Sequence, residues 1–536
     1  MGSQANVQTL LVGIDAACYP VLGPLFESGD VPALASLFDS GVSGPLESQI
    51  PPWTASAWPS LYTGMNPGKH GVFSFLAFDG YEWDVVNATH VRERTLWELL
   101  SRERLTSVVV NAPVTHPPRT FDGALVPGYT APEDPTCHPD GLLSDVREAV
   151  GTYRVYPSSD EGRPAADAYR ECVRSRGEAF RYLVDRFDPA FGFLQFQATD
   201  TVFHERPGDR ETVREVYREV DLQVERAIEA CDPDTIVVAS DHGIGPYGGY
   251  EFRVNDFLRE EGFVDTVRGG TGMPSWSARW ERGRPEGSGG RVREVAERAM
   301  GYAASAGVTS QRIGAVLERL NLADFVAEHV PSALIRAGTT QVNFPDSRAY
   351  MRSRIELGVR LNVAGREPNG TVPRSEYETV RASVADALRS VTTPDGRPVF
   401  DEVAPREEYF HGPEAHRAVD VVTVPADFDH FLTASLRGER FGSPSEPWNH
   451  KLDGMFAVVG DGVDHDVSVA GAHLFDVAPT VLATLGVARD ERMDGRVLPC
   501  VEPAGTRSYP RLDADSTVRT DDHEVADRLS DLGYLE

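Results

Sequence analysis

Short, almost wholly apolar runs recur through the first half of the chain, and each ends beside an acidic residue. The three clearest, each with the acid that follows it, are residues 7–14 with Asp15, 191–197 with Asp200, and 235–240 with Asp241. Apolar runs of this length without polar alternation predict strands that are buried on both faces, as in a parallel sheet. The pattern therefore predicts buried parallel strands whose carboxyl ends carry carboxylates.

Amphipathic stretches with helical spacing separate these runs. The clearest cover residues 31–38, 95–104, 165–186 and 210–230. Strands that alternate with helices of this length are typical of a doubly wound, largely parallel α/β sheet with helices on both faces. Ligands of such sheets bind beyond the carboxyl ends of the strands, so we expect the three acids to share one site.

The character of the sequence changes near residue 266. Glycine, serine and arginine dominate residues 268–291, and two helical patterns follow at 292–304 and 311–327. We therefore expect a mainly helical cap at 266–344, inserted into the core.

The core is expected to resume after this insertion. The predicted division is a first part of the core at 1–265, the insertion at 266–344, a second part of the core at 345–500, and an acidic tail at 501–536. Within the second part, the predicted elements are strands at 348–351, 358–363 and 455–460 and a helix at 475–486. The tail contains one further helical pattern, at 523–532.

The chain is strongly acidic, with a formal net charge of −30, and its only lysines are Lys69 and Lys451. Such a surface repels nucleic-acid backbones and anionic membranes, so specific nucleic-acid binding is not expected. An acidic, lysine-poor surface is also typical of proteins adapted to concentrated salt, where self-repulsion is screened. GC-rich coding, which replaces lysine by arginine, is the alternative explanation.

The five cysteines are scattered, odd in number and without close C-x-x-C spacing. This usage indicates a reducing compartment and no thiolate zinc site. No apolar run reaches the roughly 18 residues that a membrane-spanning helix needs, and the chain begins without a recognisable leader. We therefore expect a cytoplasmic protein that does not insert into a membrane.

Thr54 stands at the start of a short helical pattern that ends near Gly64. Pro51 and Pro52 stiffen the chain before it. A threonine at or beside a helix N-terminus lies where backbone N–H groups and the helix dipole favour negative charge, such as a phosphate. Taken alone, the stretch is equally compatible with a plain N-cap threonine.

Carboxylates and imidazoles recur in pairs beyond these strand ends. Asp200 and His204 are four residues apart, on one face if the segment is helical. Asp241 is followed directly by His242, and His450 precedes another predicted strand. Each pair alone is also compatible with a salt bridge. Together with Asp15 they are too many ligands for one tetrahedral ion and suit two divalent ions, with zinc favoured and manganese the alternative.

The ordered set of these residues resembles that of the alkaline phosphatase superfamily, and within it the proteins similar to type I phosphodiesterases and nucleotide pyrophosphatases, including their phosphohydrolase and phosphomutase relatives. The set is Asp15, Thr54, Asp200, His204, Asp241, His242 and His450. Supporting stretches are residues 30–37, 63–71, 111–118, 365–370 and 493–498. The resemblance covers roughly residues 7–265 and 345–500 and implies an alkaline phosphatase-like fold.

The resemblance also implies a division of ligands and a mechanism. One metal would be held by Asp200, His204 and His450, and the other by Asp15, Asp241, His242 and Thr54. Two such ions clamp the attacking and leaving oxygens of an in-line displacement. Thr54 would be the nucleophile, forming a phosphothreonine. Position 54 is neither cysteine nor serine, which argues against a sulfatase.

The chain departs from the family pattern where substrate is expected. Diesterases of this group place an asparagine after the His-Gly turn, whereas here Phe75 takes that slot, beside Ser74. Lys69 is a candidate for binding substrate charge, with a solvated turn residue as the alternative. Four aromatic residues near the metal motifs are candidates for an apolar platform that contacts the leaving group. The alternative is that they only pack in the core or at the rim of the site. They are Trp53, Phe75, Tyr247 and Trp448.

The first functional hypothesis is a two-metal phosphoester hydrolase, most directly of the phosphodiesterase or nucleotide pyrophosphatase type. Alternatives are a phosphomonoesterase or a phosphomutase of the same superfamily, and more remotely a non-catalytic metal-binding protein. The expected partner is a small-molecule phosphoester, and an oligomer is compatible with the sequence.

If the charge of −30 reflects adaptation to salt, stability should depend steeply on ionic strength. The melting temperature should rise between dilute buffer and molar KCl, because screening relieves repulsion among the acidic side chains. Sucrose at equal osmolality is the control, since it leaves the charges unscreened. A melting temperature that is flat or falling in KCl would leave coding bias as the explanation.

Overall fold

The computed structural model describes residues 7–157, 164–268, 340–512, 517–520, 525 and 528–529 of the chain. Its helices are α1 (Tyr19–Ser28), α2 (Pro32–Ser40), α3 (Thr54–Thr63), α4 (Pro67–His70), α5 (Leu96–Arg102), α6 (Leu142–Val150), α7 (Ala165–Phe187), α8 (Ala198–Glu205), α9 (Arg210–Cys231), α10 (Val254–Glu260), α11 (Tyr377–Ser390) and α12 (Val477–Thr484). The helices predicted at 292–304 and 311–327, and most of the one at 523–532, lie outside the described residues.

The strands are mostly short. They are β1 (Thr9–Ile14), β2 (Val42–Glu47), β3 (Leu76–Asp79), β4 (Glu82–Val85), β5 (Ser107–Val110), β6 (Gly123–Val126), β7 (Phe191–Phe196), β8 (Thr235–Ala239), β9 (Gly243–Pro246), β10 (Glu251–Arg253), β11 (Thr266–Arg268), β12 (Thr340–Val342), β13 (Ala349–Tyr350), β14 (Gly358–Leu361), β15 (Phe400–Pro405), β16 (Val421–Pro425), β17 (Phe431–Thr433), β18 (Phe441–Gly442), β19 (Trp448–Lys451), β20 (Asp453–Gly460), β21 (Ala472–His473), β22 (Arg489–Asp490) and β23 (Thr506–Arg507).

The central sheet has eight strands in the order β21-β2-β20-β8-β1-β7-β5-β6. Only β20 runs against the others, pairing antiparallel with both β2 and β8. β1 lies between β7 and β8 and is parallel to both, with Gly13 opposite Gln195 and Ala239. The predicted largely parallel α/β sheet is therefore confirmed, and the strands predicted at 7–14, 191–197 and 235–240 are neighbours within it.

Both faces of this sheet are covered, as its apolar strands require. Along β1, Leu10, Val12 and Ile14 pack into one core, which includes side chains from α1, α2, α6, α7 and α9. Leu11 points to the opposite face, into a core shared with α3, α5 and α12. Alternate residues of β1 thus pack against the helical layers on opposite faces of the sheet, which fixes the register of β1.

The second part of the chain contains a separate sheet. Strands β13, β14, β16 and β15 form a four-stranded sheet in that order, and every pairing within it is antiparallel. The strands predicted at 348–351 and 358–363 were expected to continue the core alternation, and they belong to this sheet instead. Among the described residues after 345, only β20 and β21 return to the central sheet. Since apolar content is similar in both sheets, the sequence pattern alone does not distinguish them.

The segment after α3 also differs from the prediction. Residues 66–71 were expected to form a turn, and they contain the one-turn helix α4, whose N-terminus is capped by Asn66. The Asn66 side chain accepts a hydrogen bond from the backbone N–H of Gly68 at 2.8 Å. Gly71 follows in the left-handed region, at φ 88°, and ends the helix.

Within the described residues, no helix is long and apolar enough to cross a membrane. All five cysteines are buried and carry free thiols. The flanks of the segment 269–339 pair antiparallel as β11 and β12, with Thr266 opposite Val342. The division of the chain at 266 and 344 stays a prediction.

Gly13 allows an aromatic ring of α3 to lie directly against β1. A Cβ at this position would stand 2.5 Å from Cη2 of Trp58 and 3.0 Å from Phe193. The ring of Trp58 is fully buried, and its Nε1 donates to Oδ2 of Asp15 at 2.9 Å. The absence of a side chain at Gly13 thus fixes how closely α3 approaches the end of β1.

Replacing Gly13 by alanine should therefore displace Trp58 and loosen the contact with Asp15. We expect a loss of about 1–3 kcal/mol in the free energy of unfolding, because the ring is packed on all sides. Chemical denaturation measures the loss. The control is Gly23→Ala in α1, where an added Cβ meets nothing within 4 Å. Equal stability of the two variants would contradict the argument.

Candidate active site and metal centre

Asp15 follows β1 directly, and two side chains hold one of its oxygens. Oδ2 accepts hydrogen bonds from Nε1 of Trp58 and from Nε2 of Gln195, both at 2.9 Å. The backbone N–H of Asp15 donates to the carbonyl of Phe196, continuing the pairing with β7. The carboxylate is completely buried, and Oδ1 is left facing Thr54.

Thr54 is the first residue of α3, so it stands beside the N-cap as predicted. Its side chain is 1% exposed. Oγ1 lies 3.4 Å from Oδ1 of Asp15 and 3.3 Å from Nε2 of His242. The hydroxyl therefore lies between the carboxylate of Asp15, 39 residues away in sequence, and the imidazole of His242, 188 residues away.

Asp241 and His242 follow β8, the strand next to β1. Nδ1 of His242 donates to the carbonyl of Gly243 at 2.9 Å, so Nε2 carries no proton in the neutral ring. This bare Nε2 lies 3.2 Å from Oδ2 of Asp241 and 3.6 Å from Oδ1 of Asp15. Burial holds the pKa of His242 well below its usual value, which keeps the imidazole in the neutral form that binds metals.

A second cluster combines α8 with a strand from much later in the chain. Asp200 and His204 share one face of α8, with Nε2 of His204 3.3 Å from Oδ1 of Asp200. His450 lies in β19, which pairs antiparallel with β9 so that His450 is opposite Ile244. Nε2 of His450 is 3.0 Å from Nε2 of His204 and 3.4 Å from Oδ1 of Asp200.

The two clusters adjoin each other. The rings of His242 and His450 are stacked, with centroids 3.7 Å apart. Ligand atoms of Asp200, His204 and His450 lie within 4.8 Å of one another, and so do those of Asp15, Asp200 and His242. Asp200 thus belongs to both groups, whereas the family resemblance placed it only in the group with His204 and His450. The structure brings together all seven predicted residues.

The chemistry of these groups fits bound cations. Oδ1 of Asp200 and Oδ2 of Asp241 are buried and have no hydrogen-bond partner among the described residues. Nδ1 of His450 donates to the carbonyl of Pro52 at 2.8 Å, which leaves Nε2 as a bare acceptor that faces Asp200. Lone pairs that converge without donors require a positive charge between them. Oxygen and imidazole nitrogen together suit zinc, and manganese where oxygen dominates.

The pKa values of the acids reflect the same crowding. Burial, with the nearby carboxylates of Asp241 and Asp200, raises the pKa of Asp15 well above its usual value. Burial and Asp200 likewise raise the pKa of Asp241. Burial also disfavours the charged form of Asp200, but the positive charge of protonated His204 outweighs it and holds the pKa of Asp200 well below its usual value. Cations would have to replace the protons that Asp15 and Asp241 otherwise retain.

Two aromatic residues predicted near substrate do contact the cluster. The ring of Trp53 lies against His450, with centroids 4.6 Å apart. The hydroxyl of Tyr247 donates to the carbonyl of His450 at 2.7 Å. Trp448 instead stacks on Phe203 of α8. Trp53 and Tyr247 therefore support the ligand His450 directly, and their contact with a leaving group stays a prediction.

The other predicted substrate residues have structural partners. Nζ of Lys69 forms an ion pair with Asp494 at 2.5 Å and donates to the carbonyl of Arg492 at 2.7 Å. The Ser74 hydroxyl donates to the carbonyl of Leu76 at 2.9 Å. Phe75 is fully buried, with its ring edge-on to Tyr129 at 5.7 Å. These contacts give Lys69 a structural role, which differs from the solvated turn residue that the sequence offered as the alternative. Substrate binding by all three residues stays a prediction.

Sequence reasoning missed two residues that orient Asp15. Gln195 is the one polar side chain within the apolar run of β7, and this interruption was the available signal. The amide oxygen of Gln195 accepts a hydrogen bond from Nδ2 of Asn111, so the amide nitrogen of Gln195 is the atom that donates to Asp15. Trp58 gave no such signal, because a tryptophan in a buried helix is ordinarily explained by packing alone.

Comparison with known proteins places this geometry in context. Residues 9–445 match the family described as type I phosphodiesterase / nucleotide pyrophosphatase. No curated protein matches the chain.

Solved structures share the fold at low identity. Phosphonoacetate hydrolase from Sinorhizobium meliloti 1021, solved with phosphonoacetate, is 16% identical with a TM-score of 0.53, covering 89% of this chain and 95% of its own. Wild-type alkaline phosphatase PafA is 12% identical with a TM-score of 0.51, covering 92% of this chain and 99% of its own.

At such identities the structural likeness shows the fold, which is the alkaline phosphatase-like α/β fold expected from the sequence. The family match spans most of the chain, from β1 to the segment before β19. The chain therefore belongs to the type I phosphodiesterase / nucleotide pyrophosphatase family, and it is an enzyme.

Proposed function

We propose that this protein is a two-metal phosphoester hydrolase that acts on diesters of small molecules, with Thr54 as the nucleophile. The observation that carries the proposal is the position of the Thr54 hydroxyl, 3.4 Å from Asp15 and 3.3 Å from His242 at the start of α3. The family match supports diesters over monoesters as substrates. A cytoplasmic location is part of the proposal, supported by five free, buried thiols.

The metal ligands are proposed as two sets. Asp200, His204 and His450 would hold one divalent cation, and Asp15, Asp241, His242 and Thr54 the other, with zinc preferred to manganese. When bound, these cations would lower the pKa of the Thr54 hydroxyl and neutralise charge on the phosphoryl oxygens. Asp200 also lies near the ligands of the second set, so its carboxylate is suited to bridge the two.

The protein's own groups then define the reaction. Oγ1 of Thr54 loses its proton to solvent and attacks phosphorus, and the bond from phosphorus to the leaving oxygen breaks. That oxygen takes a proton from solvent and departs as an alcohol on the opposite side. The positive end of the α3 dipole stabilises the negative charge on the transferred group. Water then cleaves the phosphothreonine ester, which releases a monoester and restores the hydroxyl. Burial of Thr54 limits the water that reaches the site before substrate binds.

Metal removal tests the first part of this proposal. Purified protein should contain up to two divalent ions per chain, measured by elemental analysis. Chelation should abolish hydrolysis of bis(p-nitrophenyl) phosphate, and added zinc or manganese should restore it. The Asp200→Asn variant should lose affinity at both ions, because its carboxylate lies near both ligand sets. Full activity in metal-free protein would contradict the proposal.

Substitution of Thr54 tests the nucleophile. Thr54→Ala should lower turnover by about 10³-fold or more, since groups that act as a unit are strongly non-additive. Metal content should largely persist, because six ligands remain. Thr54→Ser should retain measurable activity through its hydroxyl. The control is Thr63→Ala at the other end of α3, whose hydroxyl donates to the carbonyl of Pro59 and does not contact the cluster.

The covalent intermediate has its own measurement. Acid quenching during turnover of a slow diester, followed by mass spectrometry, should detect the phosphoryl group, with the retained alcohol still esterified to it, on the peptide that contains Thr54. Accumulation of a monoester and an alcohol identifies a diesterase. Transfer of the phosphoryl group from Thr54 back to a sugar phosphate identifies a phosphomutase. Near-normal turnover by Thr54→Ala would mean that water attacks directly.

A further inference from the structure

The three imidazoles of the metal centre differ in what faces the nitrogen on their outer side. Nδ1 of His242 and Nδ1 of His450 each donate to a backbone carbonyl, at 2.9 and 2.8 Å. Nδ1 of His204 faces a side chain, the carboxylate of Glu446, whose Oε2 is 4.0 Å away. A carboxylate therefore lies on the outer side of His204, where backbone carbonyls accept from the other two imidazoles.

Glu446 is itself held at both oxygens. Oε1 lies 2.6 Å from Nη2 of Arg354, and Oε2 accepts from Nδ2 of Asn449 at 2.6 Å. The guanidinium of Arg354 is 6% exposed and lies over the ring of Phe431, 4.8 Å from its centroid. A cation and an amide thus contact the two oxygens of this carboxylate, one on each side.

The same contacts connect Glu446 to a second metal ligand. Oδ1 of Asn449 accepts from the backbone N–H of His450 at 2.7 Å, while its amide nitrogen donates to Glu446. Glu446, Asn449 and His450 thus form one short segment that ends in β19. His204 lies on α8, 246 residues earlier. Glu446 links the ligand of the helix to the ligand of the strand.

We propose that Glu446 is a positioning residue of the metal centre, which holds the proton of His204 on Nδ1 so that Nε2 faces the cation. The separation of 4.0 Å exceeds a direct hydrogen bond, and a small side-chain rotation or one bridging water closes it. Carboxylates are frequent partners of the outer nitrogen of metal-bound histidines. The inference rests on the proposed two-metal function and adds a residue to it.

The discriminating variant is Glu446→Gln in the full chain, which keeps the size of the side chain and removes its charge. Zinc affinity of the metal-free protein is measured by competition with a chromophoric chelator, and the visible spectrum of the cobalt form reports ligand geometry. One of the two zinc affinities should fall about tenfold or more, with the other unchanged. The cobalt spectrum should change, and Glu446→Asp should recover part of the loss.

Glu367→Gln is the matched control. Glu367 is a buried carboxylate that pairs with Arg360 at 2.8 Å, in the part of the chain that forms the separate antiparallel sheet. The Glu367→Gln variant should leave both zinc affinities at the wild-type values, even if its melting temperature is lower.

Two results would overturn the inference. Equal affinities in wild type and Glu446→Gln would show that the carboxylate does not position His204. A parallel fall of both affinities, together with a lower melting temperature of the metal-free protein, would show that the pair of Glu446 and Arg354 only stabilises the fold. Failure of the wild-type chain to bind zinc or manganese would instead refute the two-metal function, and this inference with it.

Discussion

The constraint on which this structure depends is the burial of three carboxylates within a few ångströms of one another. Asp15, Asp200 and Asp241 are each at most 2% exposed, and two of their oxygens have no donor among the described residues. Buried like charges are unfavourable unless positive charge compensates them. The parallel sheet gathers these acids because β1, β7 and β8 are neighbours whose carboxyl ends share one edge.

Hydrogen bonds from neighbouring residues hold the carboxylates of Asp15 and Asp241 in position. Trp58 and Gln195 hold one oxygen of Asp15, and the backbone N–H of Ala16 donates to Asp241 at 3.3 Å. Backbone carbonyls fix two of the imidazoles. Contacts within the fold thus hold these side chains in place, which is the property that a catalytic centre needs for low reorganisation during the reaction.

Much of this arrangement could be predicted from the sequence, for identifiable reasons. The apolar runs of β1, β7 and β8 report burial on both faces, and burial in a parallel sheet brings their terminal acids together. The spacing of Asp200 and His204 reports a helix face. These features are local, so a pattern along the chain contains them.

What the sequence did not contain is information about pairing between distant segments. Nothing local indicates that β13 and β14 leave the central sheet, or that Lys69 meets Asp494 across more than 400 residues. The shared position of Asp200 depends on the angle at which α8 leaves β7. Gln195 was the partial exception, because a polar residue inside a buried strand requires a partner.

The position of His450 in β19 has a consequence for the biosynthesis of the enzyme. The strand that contains it pairs with β9, some 200 residues earlier, and the set of Asp200, His204 and His450 is incomplete without contact between the early and late parts of the chain. A nascent chain on the ribosome presents Asp15, Thr54 and Asp200 long before His450 is synthesised. In the proposed two-metal function, the cation held by His204 would therefore bind only after translation of nearly the whole polypeptide, and a truncated product that ends before β19 would expose unneutralised acids and be a target for proteolysis.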